Sequence, residues 1–240
     1  MENKTQLGIR KAKVRVLLVD DHPLVRKGLA QLINQDARLA VCGEAEDAPQ
    51  AIKAIETLLP DLVIMDISLK VGNGIELLKT VKPLFPHLLV LVLSMHDERL
   101  YAERLIRAGA MGYVMKDETP EQVLLAIGQV LDGEIFLSNR MKSKIVLLFA
   151  GRNGKVPSST LEQLTDRELE VFGLIGEGRT TRQIAGQLHL SMHTVQSYRE
   201  FIKDKLNLRN STELVQHAVV ASHSAVPTLT HEFNEVCGVL

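Results

Sequence analysis

Cysteine is nearly absent from this chain. Cys42 and Cys237 are its 2 cysteines; they lack metal-ligand spacing and cannot frame a set of disulfides, which fits a reducing cytoplasm. Long hydrophobic runs are missing too. No stretch approaches the roughly 18 apolar residues of a membrane span, so no membrane association is expected. The first apolar run follows Glu2, Lys4, Arg10, Lys11 and Lys13 and ends at Asp20, too short and too acidic at its end for a signal peptide. Charge of one sign is also lacking: 28 Lys and Arg stand against 29 Asp and Glu, so whole-molecule electrostatics select no partner. The loop after the first strand is not Gly-rich, which argues against a dinucleotide site. No internal repeat or low-complexity segment appears.

What is present divides in two. At 240 residues with 45% apolar content, the chain can fill two small cores. The first unit, 13–133, alternates short apolar runs with helix-period segments. The runs are Val14–Val19, Leu39–Gly43, Leu62–Met65, Leu88–Leu93 and Tyr113–Met115. Continuously apolar strands are buried on both faces and need crossover helices. The expected fold is therefore α/β, a doubly wound five-stranded parallel sheet with five helices. Pro23–Asn34 reads as helix, with Leu24, Gly28, Leu29, Leu32 and Ile33 at helical spacing. Thr119 and Pro120 are the N-cap and first residue of the last helix. A linker, 134–160, follows: Ser143–Ala150 is apolar enough for a short helix, and Gly151–Thr160 is a hinge. The second unit, 161–222, reads as a small all-α domain of four helices. Thr165 with Glu168 and Thr180 with Gln183 are capping boxes; Ser191 and Asn210 mark two more starts. The connection from Leu188 to Ser191 is short enough for helix-turn-helix geometry. The tail, 223–240, shows no clear periodicity, although Leu229, Phe233 and Val236 could dock as a short helix.

The chemistry sits at the strand ends. In a parallel sheet these ends share one edge, where ligands bind. Asp20 and Asp21 close the first run, Asp66 the third, Ser94 the fourth and Lys116 the fifth. Three carboxylates this close repel unless a cation neutralises them. An all-oxygen, half-open site suits Mg²⁺, which completes its shell with water and phosphate oxygens. A carboxylate there can attack phosphorus. Lys116 offers a compact positive charge to phosphoryl oxygens, and Ser94 a hydroxyl donor.

Val19-Asp20-Asp21-His22-Pro23, Met65-Asp66, Leu93-Ser94-Met95-His96-Asp97 and Gly112-Tyr113-Val114-Met115-Lys116 resemble, in order and spacing, the receiver domain of a two-component response regulator. The resemblance implies Asp66 as phosphoacceptor, phosphorylated by a sensor histidine kinase. It implies a Mg²⁺ shell of Asp20, Asp21, Asp66 and the backbone carbonyl of Ser68, and Ser94 with Tyr113 as a switch pair that shifts on modification. One departure is Lys70, where the family often has Pro; Gly72-Asn73-Gly74 keeps the usual turn chemistry.

In the second unit, the helix starting near Ser191 has Val195, Tyr198 or Phe201, Ile202 and Leu206 at core spacing. Gln196, Arg199 and Lys203 share the opposite face. Gln and Arg side chains read adenine and guanine in the major groove, and a helix of this size fits there. Arg199, Lys203, Lys205 and Arg209 stand against Glu200 and Asp204, a local positive excess. Leu164-Thr165-Asp166-Arg167-Glu168, Gly176-Glu177-Gly178, Ile184-Ala185, Thr194-Val195, Lys205-Leu206 and Arg209-Asn210-Ser211-Thr212-Glu213 resemble the LuxR-type DNA-binding domain of NarL/FixJ regulators. Two departures are His193, where Lys is frequent, and Tyr198, where His is common. The resemblance implies base-facing Gln196, Ser197 and Glu200, with Thr194, Lys203 and Arg209 on phosphates. One helix on DNA binds weakly, so a homodimer on repeated half-sites of double-stranded DNA is expected.

The expected function is a cytoplasmic DNA-binding response regulator, in which phosphorylation of Asp66 controls dimerisation, release of the helix-turn-helix, or both. Two alternatives stand beside it. One is a regulator that works without phosphorylation, or whose helix-turn-helix docks a protein. The other is a flavodoxin-like or phosphatase-like enzyme. Ser68 stands two residues after Asp66, so the Asp-x-Asp pair of phosphatases with an aspartyl nucleophile is absent and no enzyme activity is expected.

Overall fold

The computed structural model describes residues 12–139, 141–143 and 160–223. The expected helix in Ser143–Ala150, the Gly151–Thr160 hinge, and the tail with Leu229, Phe233 and Val236 lie almost wholly outside them.

The first unit is a parallel sheet in the order β2-β1-β3-β4-β5. Its strands are β1 (Val14–Val19), β2 (Leu39–Ala45), β3 (Leu62–Met65), β4 (Leu89–Ser94) and β5 (Gly112–Met115). Between and after them run α1 (Pro23–Gln35), α2 (Ala48–Leu58), α3 (Gly74–Leu84), α4 (Glu98–Arg107) and α5 (Pro120–Leu131). The strands read as unbroken apolar runs because both faces are covered. Val16 and Leu18 pack with Ile33 of α1 and Val123, Ile127 and Val130 of α5. Leu17 and Val19 face Ile55, Leu78 and Leu105 of α2, α3 and α4. Strand order reverses direction between β1 and β3, so their carboxyl ends open a crevice there.

Thr119 caps α5, with Pro120 in its first turn. Leu24, at core spacing on α1, is instead 84% exposed. Helical spacing marks a stripe; it does not say what covers the stripe's first residue.

The second unit follows a 3₁₀ turn (Thr160–Gln163) with α6 (Asp166–Gly176), α7 (Thr181–Gln187), α8 (Met192–Leu206) and α9 (Ser211–His223). Both capping boxes form, each with its side chains bonding reciprocally. Ser191 caps α8, and the Asn210 side chain accepts from the Glu213 amide at 2.9 Å. Between α7 and α8, His189 takes a left-handed φ of 53°, which turns the chain within four residues. Val195, Ile202 and Leu206 pack inward. Tyr198 packs partly against the core, whereas Phe201 points outward, 52% exposed.

Glu168 does two jobs. Its Oε2 accepts from the Thr165 amide at 2.7 Å and from the Lys205 ammonium at 2.6 Å. Burial alone would raise its pKa, but the Lys205 and Thr165 hydrogen bonds win and lower it. A depressed folded pKa gives stability that is fully present above the unfolded value and is lost as pH falls through the folded one. Glu168→Ala is therefore expected to cost roughly 1–3 kcal/mol at pH 7. The gap to the parent should stay constant above about pH 5 and close at lower pH. Urea melts at pH 7, 5 and 3 measure it, and a gap that widens on acidification would contradict the assignment.

The two units share one apolar cluster, which runs from α3 and α4 into Leu169, Phe172 and Leu174 of α6. The Tyr101 hydroxyl donates to the Leu169 carbonyl at 3.1 Å. Asp166 accepts from Lys79 at 2.7 Å and from Arg104 at 3.0 Å. The Arg99 guanidinium reaches the Ser222 carbonyl.

Candidate functional site

The four strand-end positions converge. Asp66, immediately after β3, is 4% exposed and Asp20, after β1, is 3% exposed. Oδ1 of Asp66 accepts from the Ser94 hydroxyl at 2.5 Å and from the Ile67 amide at 2.6 Å. Its Oδ2 lies 2.6 Å from Nζ of Lys116, which also sits 2.6 Å from Oδ2 of Asp20. Oδ1 of Asp20 accepts from the His22 amide at 2.8 Å. Burial, and then the neighbouring Asp66 charge, raise the Asp20 pKa against the pull of Lys116. For Lys116, burial pulls the pKa down, but the two carboxylates outweigh it and hold the ammonium charged.

Oxygen and nitrogen donors of Asp20, Asp21, His22 and Asp66 all lie within 4.8 Å of one another. Asp21 Oδ1 is buried without a hydrogen-bond donor, although His22 Nδ1 approaches it to 2.6 Å. Three carboxylates whose oxygens converge this closely are a donor set that fits a hard divalent cation. This acidic pocket is of the kind with which receiver domains bind Mg²⁺.

The loop after Asp66 owes its shape to Ser68 and Asn73, which form an antiparallel bridge. The Gly74 amide donates to the Ile67 carbonyl at 2.7 Å, and Asn73 caps α3. Lys70 leaves the loop intact and pairs with Glu46 at 2.8 Å. Tyr113 is buried and donates to the His96 carbonyl at 2.6 Å. Both expected switch residues thus already face inward.

Three residues that strand-end reasoning did not single out belong to this region: His96, Asn73 and Glu170. The His96 ring is 3% exposed in its side chain, with Nε2 2.9 Å from the Ser68 hydroxyl and Nδ1 3.8 Å from Glu177. Burial disfavours its charge, yet Glu177, Glu170 and Asp66 around it raise its pKa. Glu170 comes from α6, about a hundred positions away in sequence, and meets Ser68 and Asn73. The strand-end pocket opens into a cleft of about 650 Å³ whose far wall is Arg179, Gly186, Gln187 and His189. The second unit forms that wall.

On α8, Gln196 and Glu200 are exposed and hydrogen-bonded to each other at 2.9 Å. Lys203 pairs with Glu200 at 2.6 Å. The Thr194 hydroxyl lies 2.8 Å from that of Ser191, and the Ser197 hydroxyl donates to the His193 carbonyl at 3.1 Å. Arg199 is half-buried and Arg209 exposed. Gln196, Glu200 and Arg209 are therefore accessible while the units are docked. Among the described residues, no helix is long and apolar enough to cross a membrane.

Residues 16–128 match the response regulator receiver domain, and residues 162–218 the bacterial regulatory proteins of the luxR family. With this fold and pocket, the chain belongs to the response regulators that join a receiver to a LuxR-type helix-turn-helix, a family of DNA-binding transcription regulators and not of enzymes. It is 31% identical over 210 residues to the oxygen regulatory protein NreC of Staphylococcus carnosus (strain TM300), covering 86% of this chain and 97% of that protein. NreC of Staphylococcus aureus (strain JH9) gives the same figures. Among solved structures, RcsB from Salmonella enterica serovar Typhimurium, bound to promoter P1flhDC with phosphomimetic BeF3⁻, aligns at TM-score 0.59 and 28% identity. That alignment covers 86% of this chain and 98% of RcsB.

Proposed function

We propose that Asp66 takes a phosphoryl group from the phosphohistidine of a sensor histidine kinase, and that this modification sets whether α8 acts on double-stranded DNA. The observation that carries the reading is the buried Asp66 carboxylate, held by Ser94 on one oxygen and Lys116 on the other. In the transfer, a carboxylate oxygen forms a bond to phosphorus. The phosphorus–nitrogen bond to the donor imidazole breaks, and its electron pair leaves on that nitrogen. Lys116 and Ser94 are placed to stabilise charge on the phosphoryl oxygens. Asp20, Asp21, Asp66 and the Ser68 carbonyl would hold Mg²⁺, which supplies charge neutralisation at the pocket when bound.

The working division is a receiver at 13–133, a linker at 134–160, the DNA-binding unit at 161–222 and a tail at 223–240. Gln196, Ser197, Arg199 and Glu200 would meet base edges in the major groove, with Thr194, Lys203 and Arg209 on phosphates. The active form would be a homodimer in the cytoplasm. A solved relative supports the assembly, since one RcsB structure has two dimers bound to two parallel DNAs.

Incubation with acetyl phosphate and Mg²⁺ should label wild type once and Asp66→Ala not at all, as read by intact mass. A gel-shift assay on sites mapped from genomic binding should show tighter binding for labelled wild type only. Full labelling of Asp66→Ala would reject the acceptor assignment.

A further inference from the structure

The outward side chains of α8 are committed to one another in a set order. Gln196 Nε2 donates to Glu200 Oε1 at 2.9 Å, and Lys203 Nζ lies 2.6 Å from Glu200 Oε2. A carboxylate only accepts, so the Gln196 amide must turn its nitrogen toward Glu200. One N–H is spent in this way, which leaves the amide oxygen and one N–H for the groove. The Lys203 hydrogen bond is the largest cause holding the Glu200 carboxyl below its usual pKa, so it stays ionised as an acceptor. The neighbours of Gln196 are spent or withdrawn: the Ser197 hydroxyl donates to the His193 carbonyl, and Arg199 is half-buried. One turn before Gln196, Met192 stands 57% exposed.

One acceptor beside one donor is the pattern that adenine answers in the major groove, where its N6–H donates and its N7 accepts. Guanine presents two acceptors there, O6 and N7, and asks for two N–H groups from one side chain. A Gln196 tethered by Glu200 has a single N–H to give. The thymine opposite adenine carries a C5 methyl in the same groove, an apolar surface that suits Met192. We propose that α8 reads an A·T pair, with Gln196 on adenine and Met192 on the thymine methyl. Glu200 is then a positioning residue, which excludes guanine by holding the Gln196 amide. The proposal rests on the reading of α8 as the helix that meets base edges, and goes beyond it in naming the pair.

The test is a selection from short DNA duplexes with a randomised centre, made by the full chain after treatment with acetyl phosphate and Mg²⁺. Gel-shift titration of single-base variants follows. The position that Gln196→Ala no longer selects is the one that Gln196 reads. Wild type should prefer adenine over guanine there by about thirtyfold. In Glu200→Ala that ratio should fall to about threefold, while binding to unrelated DNA tightens because a carboxylate facing the phosphates is gone. Glu200→Gln keeps an oxygen for Gln196 and should hold the ratio near that of wild type. Deoxyuridine in place of the paired thymine should weaken wild type about threefold and Met192→Ala not at all. Met192, Gln196 and Glu200 are all exposed, so the variants are expected to fold. The proposal is overturned, with DNA reading by α8 left standing, if Gln196→Ala selects as wild type does, if the position it releases is not adenine, or if Glu200→Ala keeps the full ratio. A Glu200→Gln ratio as low as that of Glu200→Ala overturns the positioning role, and indifference to deoxyuridine overturns the role of Met192. If wild type enriches no sequence at all, α8 does not read bases and the proposal falls with that reading.

Discussion

Gly74→Ala is expected to lower the melting temperature by about 10 °C and the rate of labelling by acetyl phosphate roughly a hundredfold. A Cβ at this position would stand inside contact distance of the Asp66 carbonyl oxygen. It would also lie 2.9 Å from Cα of Ile67 and 3.0 Å from Cε of Met65. The first two are backbone atoms of the acceptor loop and cannot swing aside as a side-chain tip can. Either the loop or the start of α3 must move, and overpacking of this kind costs about 3 kcal/mol. The kinetic effect comes from displacement: Asp66 is aimed by the Ile67 amide and Ser94, and a loop shifted by an ångström spoils both. Gly128→Ala on α5 is the control, since nothing lies within 4 Å of its added Cβ. It should be neutral or slightly stabilising. Equal melting temperatures and labelling rates for the two variants would refute the steric argument.

The convergence of the strand-end residues was legible because strand ends fix their positions. Once β1, β3, β4 and β5 are read as parallel, Asp20, Asp66, Ser94 and Lys116 have nowhere else to go. Local rules also carried the helix starts, where Thr165, Thr180 and Ser191 each bond backbone amides within three residues. What escaped the sequence was long-range pairing. Glu170 reads as one more acidic residue of a capped helix, yet its partners lie 102 and 97 positions away. No periodicity encodes which surface of α6 meets which loop. Lys205 counted toward the local positive excess, but its ammonium is committed to Glu168. Leu24 and Phe201 sit at apolar spacing and stay exposed, because spacing records a helix face and says nothing of its cover.

Burial also makes the pocket sensitive to the balance of its charges. Asp20 and Asp66 face one ammonium that is 7% exposed in its side chain. In Lys116→Met the volume is nearly kept while the positive charge is lost. Breaking a buried pair by removing one partner typically costs 3–5 kcal/mol, because the charge left behind is uncompensated; here two carboxylates are left. The variant should therefore melt well below wild type in chelator at pH 7. Millimolar Mg²⁺ should restore much of the loss, raising the variant's melting temperature by several degrees more than wild type's, since a ligand that binds only the folded state stabilises it by RT ln(1 + [L]/Kd) and the uncompensated carboxylates lower Kd. Labelling by acetyl phosphate should still be slow in Mg²⁺, because the ammonium opposite the phosphoryl oxygens is gone. Calorimetric melts with chelator and with Mg²⁺ decide the first two points, and intact-mass time courses the third. A Lys116→Met protein as stable as wild type in chelator, with no extra gain from Mg²⁺, would mean that the three carboxylates do not act as one charged site.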